Sequence, residues 1–153
     1  MTVLKEVSWP VGEQPPALPG FVGSSFSPLA AAVAERCLEQ VTPQPGTGVL
    51  LVSRSGDEQS ARHVRQVVES GDRLGPLYFF QSVPNSVAGQ IAARWQLDGP
   101  VVCLSPVADP RAEALAQAAL LIADGDADRV LVVLIEQNPD GAAALLVSGG
   151  ETR

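Results

Sequence analysis

One apolar segment, AEALAQAALLIA at residues 112–123, limits the fold of this chain more than any other feature. At about 3.6 residues per helical turn, its two polar residues, Glu113 and Gln117, fall on one narrow strip. Alanine, leucine and isoleucine cover the rest of the circumference, and a helix that is apolar almost all round is normally buried. An alanine-rich surface helix is the alternative, but the large aliphatic residues here cannot all point in one direction. We therefore expect this helix to lie between two layers.

Apolar runs typical of strands alternate with helical patterns along the rest of the chain. The runs are VLKEVSW within 1–9, GVLLVSRS at 48–55, VVCLS at 101–105 and RVLVVLIE at 129–136. A turn at 138–141 then leads into a hairpin partner, GAAALLVS. The pattern predicts an α/β fold with a mostly parallel sheet and one antiparallel strand at its end.

The length of 153 residues predicts one domain over 1–153, with a Pro-, Gly- and Ser-rich loop at 10–28. A chain of this size with one sheet offers a single layer to the helix at 112–123. The second layer must then come from another chain, either a second copy or a different subunit. We expect Leu115, Ala119 and Ile122 to lie in that interface.

Three local predictions follow from shorter patterns. Ser27 is expected to cap a first helix that contains Pro28 in its first turn. The short LYFF segment, residues 77–80, is expected to be extended, and a helix is expected from Ser82 to Gln96. The two cysteines, one in a helical and one in a strand pattern, are expected to be buried free thiols.

The composition excludes several classes of function. The net charge is -7, and the cationic residues form no basic stripe, so nucleic acid and anionic membranes are unlikely partners. No apolar run reaches membrane-spanning length and no secretory signal is evident, which predicts a cytoplasmic protein. The spacing of Asp124, Asp126 and Asp128 resembles a calcium loop but lacks its glycine and final glutamate. We expect no metal and no cofactor.

Three stretches resemble the N-terminal half of β-ketoacyl synthases, members of the thiolase superfamily. They are SVPNSVAGQIAARWQLDGP (Ser82–Pro100), ALAQAALLIADGDADRVLVVLIE (Ala114–Glu136) and DGAAALLVS (Asp140–Ser148). The resemblance covers about residues 45–148. It implies one of two similar β-α-β-α-β-α-β-β halves, whose central helices stack between two sheets. The helix at 112–123 falls in that central position.

The chain departs from the family where the family's chemistry takes place. The nucleophilic cysteine of the family falls on Ala108, which has no lone pair with which to attack a thioester. An acidic residue, Asp109, follows and would oppose a thiolate or an oxyanion. The family's two catalytic histidines and its lysine lie in the C-terminal half, outside the matching part. No catalytic residue is therefore predicted, and Ala108, Asp109 and Asn85 are expected to outline a vestigial pocket.

The resemblance and its departures together suggest a non-catalytic, ketosynthase-like accessory or structural subunit in polyketide or fatty-acid type biosynthesis. It would form a homodimer, or a heteromer with a condensing-enzyme subunit. Two alternatives remain open at this point. The chain could be one half of a split condensing enzyme whose partner supplies the histidines, or a module that binds an acyl group or an acyl carrier protein.

Overall fold

The structure, a computed structural model, describes residues 1–150, so the last three residues of the expected domain at 1–153 lie outside the described part. These 150 residues contain five strands and five helices. The strands are β1 (Thr2–Ser8), β2 (Thr47–Val52), β3 (Val101–Leu104), β4 (Arg129–Glu136) and β5 (Gly141–Ser148). The helices are α1 (Phe26–Leu38), α2 (Glu58–Ser70), α3 (Pro76–Gln81), α4 (Pro84–Trp95) and α5 (Pro110–Ala123).

The strands form one sheet in the order β1-β5-β4-β2-β3. The central strand β2 pairs in parallel with both of its neighbours, β3 and β4. β5 runs antiparallel to both β4 and β1, and is the only strand of reversed direction in the described residues. The predicted α/β fold, a mostly parallel sheet with a terminal antiparallel hairpin, is therefore confirmed.

Successive side chains of the inner strands point to opposite faces of the sheet and build two separate apolar clusters. On β2, Val49 and Leu51 join the cluster beneath α1 and α4, whereas Leu50 and Val52 join the cluster beneath α5. All four side chains are essentially inaccessible to solvent. The continuous apolar sequence of β2 follows from this burial on both faces.

Helix α5 covers its face of the sheet alone, since α1 and α4 lie on the other face. Ala114, Ala118 and Leu121 are buried against β2 and β4. The N-cap residue Asp109 accepts a hydrogen bond from the backbone N–H of Ala112, and Pro110 occupies the first turn, as the sequence predicts for a helix start.

The prediction for residues 77–80 is wrong, because this segment is helical and forms most of α3. Pro76 occupies the first position of the helix after the extended residue Gly75, which favours helix initiation. The ring of Phe80 packs against that of Phe21 with centroids 5.9 Å apart, so a tertiary contact stabilises this short helix. α4 then begins at Pro84 rather than at Ser82.

Two further predictions need correction. α1 begins at Phe26, not after Ser27, because the hydroxyl of Ser24 accepts a hydrogen bond from the backbone N–H of Phe26 and starts the helix earlier. Strand β3 lies at an edge of the sheet and is partly exposed, rather than buried. Cys103 on this strand is consequently exposed, whereas Cys37 in α1 is buried as expected.

Candidate functional site

The turn that precedes α5 holds Ala108, the position to which the family resemblance assigns the nucleophile. The backbone N–H groups of Val107 and Ala108 both donate to the carboxylate of Glu113, one turn into the helix. The guanidinium of Arg54 donates to the carbonyl oxygen of Ala108 over 2.6 Å. Charged side chains of the chain itself therefore satisfy both backbone polar groups of Ala108.

The two carboxylates at the turn disfavour further negative charge there, whereas the guanidinium of Arg54 has the opposite effect. Glu113 occupies the amide donors that could otherwise stabilise a thiolate or an oxyanion at position 108. The second carboxylate, on Asp109, caps the helix immediately beside it. Two carboxylates next to a helix N-terminus offset the favourable effect of the helix dipole on an incoming anion. The backbone donors at position 108, where the sequence predicts that the nucleophile is replaced by alanine, are thus already occupied.

Asn85, the third predicted pocket residue, contacts strand β3. Its side-chain oxygen Oδ1 is 3.0 Å from the thiol sulfur of Cys103. Cys103 lines a cavity of about 420 Å³ at the C-terminal ends of β2 and β3. Asn85 and Ala108 each contact a lining residue, Cys103 and Arg54 respectively. Among the described residues, neither they nor Asp109 line the cavity itself.

Neither cysteine has an environment suited to nucleophilic catalysis. Burial raises the pKa of the Cys37 thiol to about 11, although the charge of Lys5 opposes the shift. Partial burial also raises the pKa of the Cys103 thiol, whose residue is otherwise exposed. A catalytic cysteine needs a lowered pKa, because the thiolate is the nucleophile.

These shifts predict a clear order of alkylation. Cys103 should react with iodoacetamide first, with a rate that still rises above pH 9 because its pKa is raised. At pH 8, Cys37 should react at least about 100-fold more slowly than an unperturbed thiol, owing to its pKa of about 11. Intact-mass spectrometry against time measures both rates, and a Cys103→Ser variant isolates Cys37. Rapid double labelling of the folded protein would contradict the assignment.

Asp57 forms part of a buried polar cluster that the sequence pattern did not predict. Its Oδ1 accepts hydrogen bonds from the hydroxyl of Ser24 at 2.6 Å and from the backbone N–H of Ser60 at 2.9 Å. The bond to Ser60 caps the N-terminus of α2. Its Oδ2 is buried and has no hydrogen-bond partner in the described residues. Ser24 is too distant in sequence for any short motif to reveal the contact.

Three glutamine side chains extend this cluster and hold the chain just before α1. Gln81 accepts from the backbone N–H of Val22 and donates to its carbonyl oxygen. Gln59 accepts from the backbone N–H of Ser25, and Gln137 donates to the hydroxyl of Ser25. The end of the segment predicted as a loop at 10–28 is therefore fixed to α2, α3 and the end of β4.

The outer face of α5 has the composition of a buried surface but is exposed in the isolated chain. Leu115 and Ile122 pack partly against the sheet, and Ala119 is half-buried. The most exposed large side chain is Leu120, at 56%. We define the outer α5 face by its exposed apolar residues, Ala112, Ala116, Leu120 and Ala123, together with the neighbouring Ala119.

Other sequence motifs acquire structural roles. The backbone N–H groups of Asp124 and Asp126 donate to carbonyl oxygens at the end of α5, and that of Asp128 donates to Gly46. Within residues 1–150, no three Asp, Glu, His or Cys side chains converge as metal ligands would. His63 stacks on Tyr78 with ring centroids 4.1 Å apart. No helix in these residues is both long enough and apolar enough to cross a bilayer.

Comparison with solved structures shows the fold at low sequence identity. A chain of the complex of the ketosynthase ApeO with its chain length factor ApeC from Xenorhabdus doucetiae has a TM-score of 0.72 at 24% identity, over 83% of this chain and 58% of that one. The ishigamide ketosynthase/chain length factor has a TM-score of 0.76 at 20% identity, over 89% of this chain and 47% of that one. A β-ketoacyl synthase from Burkholderia phymatum STM815 has a TM-score of 0.69 at 20% identity, over 88% of this chain and 47% of that one.

The chain therefore spans about half the length of the solved proteins it resembles. No curated protein sequence matches it significantly. A family sequence model described as "Beta-ketoacyl synthase, N-terminal domain" matches residues 14–143. Compared with the expected match at 45–148, it begins earlier, within the loop at 10–28, and ends at residue 143. This match covers most of the chain, and the protein belongs to the β-ketoacyl synthase family through its N-terminal domain.

Proposed function

We propose that this protein is a non-catalytic, ketosynthase-like subunit of a cytoplasmic polyketide or fatty-acid type condensing system. In this proposal its role is structural: it associates through the outer α5 face with a second chain of the condensing-enzyme type. The second chain is a related subunit or another copy of this one. The observation that carries the proposal is the exposed apolar face of α5 directly behind a turn that holds alanine in place of the nucleophile.

The chemistry of the turn supports the non-catalytic part. Ala108 cannot form a covalent acyl intermediate, and its N–H donates to Glu113 rather than remaining free for a substrate oxygen. The nearest thiol of the neighbouring strand, Cys103, has a raised pKa and bonds to Asn85. Restoring the sulfur alone would leave these obstacles in place.

The partner is supported by the comparisons as well as by the exposed face. Two of the similar structures are ketosynthase and chain length factor pairs, and a third contains an acyl carrier protein with its ketosynthase. A companion chain of similar fold would place a second sheet layer over α5. That layer would remove Leu120 and its alanine neighbours from water, in agreement with the burial that the sequence predicts for this helix.

An Ala108→Cys variant tests the non-catalytic proposal. Assayed without any other condensing-enzyme chain, it should form no condensation product from acyl and malonyl thioesters above the background of the unaltered protein. Its new thiol should also react slowly with iodoacetamide, because Glu113 and Asp109 place two carboxylates beside it. Product mass spectrometry and alkylation rates measured in a Cys103→Ser background report the two effects.

The matched controls keep Ala108→Cys and neutralise one carboxylate at a time, as Glu113→Gln or Asp109→Asn. Each should lower the pKa of the new thiol and speed its alkylation by about threefold to tenfold, since a nearby negative charge is removed. Condensation by Ala108→Cys alone would refute the non-catalytic proposal. Equal alkylation rates of Ala108→Cys with and without each neutralising substitution would refute the electrostatic explanation.

A split condensing enzyme is the second candidate, favoured by the coverage of about half of each similar structure. In that case a partner would supply the acid and base groups, and this chain would contribute to the pocket. Mixing the purified partner with this protein should then raise acyl transfer or decarboxylation above that of the partner alone. The same rate with and without this protein would leave only the structural role.

A further inference from the structure

A second and larger cavity lies under the segment that connects β1 to α1. Its volume is about 700 Å³, within the range of roughly 300–1,000 Å³ typical of small-molecule sites. It lies beside the N-terminal part of α1 and is lined by neither α5 nor the turn at Ala108. Binding there is therefore independent of the proposed association through the outer α5 face. We call this space the arm cavity.

The arm cavity has apolar walls and a polar floor. Trp9, Phe21 and Leu29 contribute aromatic and aliphatic surface, and several prolines add to it. The hydroxyls of Ser24 and Ser25 lie on the floor, where Asp57 and Gln137 fix them through hydrogen bonds. Trp9 itself is held by its backbone N–H, which donates to Ala142 over 2.8 Å. The walls are thus held in place before any ligand arrives, which lowers the entropy cost of binding.

The charged residues that line the arm cavity are both acidic. The exposed carboxylates of Glu13 and Asp140 are among its lining residues, and within the described chain no lysine, arginine or histidine lines it. Behind the floor, Ser24 donates to Asp57, whose other oxygen is buried without a partner. Outside the lining, the guanidinium of Arg36 lies 4.5 Å from the centroid of the Trp9 ring. This environment repels anions and favours a positive charge.

We propose that the arm cavity binds a small organic cation with an apolar body, such as a primary alkylammonium. The ammonium group donates hydrogen bonds to the exposed carboxylates of Glu13 and Asp140. The apolar body contacts Trp9, Phe21 and Leu29. Phosphate- and carboxylate-bearing ligands are excluded by the same charges.

The test uses three probes with the same six-carbon body: hexylammonium, 1-hexanol and hexanoate. The indole N–H of Trp9 donates to the carbonyl oxygen of Glu13 over 2.8 Å, so its NMR signal reports on the rim of the cavity. The Trp95 indole, which does not line the cavity, serves as the internal reference. Hexylammonium should shift the Trp9 signal saturably, with an affinity about tenfold or more above that of hexanoate. Hexanol should fall between the two.

A double variant, Glu13→Gln with Asp140→Asn, should weaken hexylammonium binding about fivefold, as expected for the loss of two exposed charge contacts. The matched control, Glu69→Gln with Asp126→Asn, removes the same charge from exposed residues elsewhere and should leave the affinity unchanged. Equal binding of hexanoate and hexylammonium, equal effects of the two double variants, or no saturable shift of Trp9 would each overturn the proposal.

Discussion

A Leu120→Asp variant is expected to be recovered as a 15.9 kDa monomer, whereas the unaltered chain is recovered with a partner. Leu120 is 56% exposed on the outer α5 face, so aspartate there costs the isolated fold little. In the assembly, the same carboxylate would be buried against an apolar layer without a counter-charge. That burial should raise the dissociation constant at least about 100-fold, equivalent to about 3 kcal/mol. Sedimentation velocity measures the change in mass.

Val68→Asp is the matched control for this substitution. Val68 is a 68% exposed aliphatic residue in the polar helix α2, so the two variants share the cost of aspartate in a helix. Val68→Asp should remain in the assembly. If Leu120→Asp associates as tightly as Val68→Asp does, the outer α5 face is not the interface.

A Gly99→Ala variant is expected to lose at least about 3 kcal/mol of unfolding free energy, because an added Cβ has no room. It would lie 2.6 Å from the backbone nitrogen of Gly48 and 2.7 Å from the carbonyl carbon of Thr47. These are backbone atoms and cannot rotate away. The N–H of Gly99 also donates to the carbonyl oxygen of Thr47, so this contact fixes β3 beside β2. Urea denaturation followed by circular dichroism measures the loss.

Gly89→Ala provides the opposite control within the same resemblance motif. Gly89 lies in the middle of α4, is exposed, and has no atom within 4 Å of its ideal Cβ position. Alanine there should stabilise the protein by about 0.5–1 kcal/mol through its higher helix propensity. A Gly99→Ala variant within about 1 kcal/mol of the unaltered protein would show that the strands can separate without loss of the fold.

Periodicity predicted the elements whose burial depends on this chain alone. β2 and β4 read as continuous apolar runs, and both are buried on two faces by α1, α4 and α5. The start of α5 carries the Asp109 cap and Pro110, which are local signals of a helix start. α3 could not be predicted in the same way. Its apolar run has no period, and the Phe80–Phe21 contact that stabilises it joins distant residues.

Two predictions of burial conflict with the isolated chain, and they have a common physical basis. The sequence of β3 is that of a buried strand, yet Val101 is 40% exposed at the edge of the sheet. The outer α5 face is likewise apolar and exposed. The proposed assembly would cover such surfaces, which remain exposed when one chain is considered alone. The sequence pattern predicted that β3 and α5 are buried, but it could not predict which surface would cover them.

The polar part of the candidate site was beyond sequence analysis. The Ala108 prediction rested on position within a resemblance, and no pattern showed that Glu113 would occupy the amides of residues 107 and 108. Glu113 was assigned only to the polar strip of the helix. The contact between Asp57 and Ser24 joins segments that the fold alone brings together. Hydrogen bonds of this kind depend on tertiary placement, which composition and spacing do not encode.

Native mass spectrometry combined with hydrogen exchange, on the protein purified intact from cells that produce it, tests the central claim most directly. We predict a mass equal to this chain plus a second copy or an identified ketosynthase-like chain, with the amides of residues 116–122 protected more strongly than in the Leu120→Asp variant. A 15.9 kDa species whose α5 amides exchange as rapidly as in that variant would contradict the claim that α5 lies between two layers.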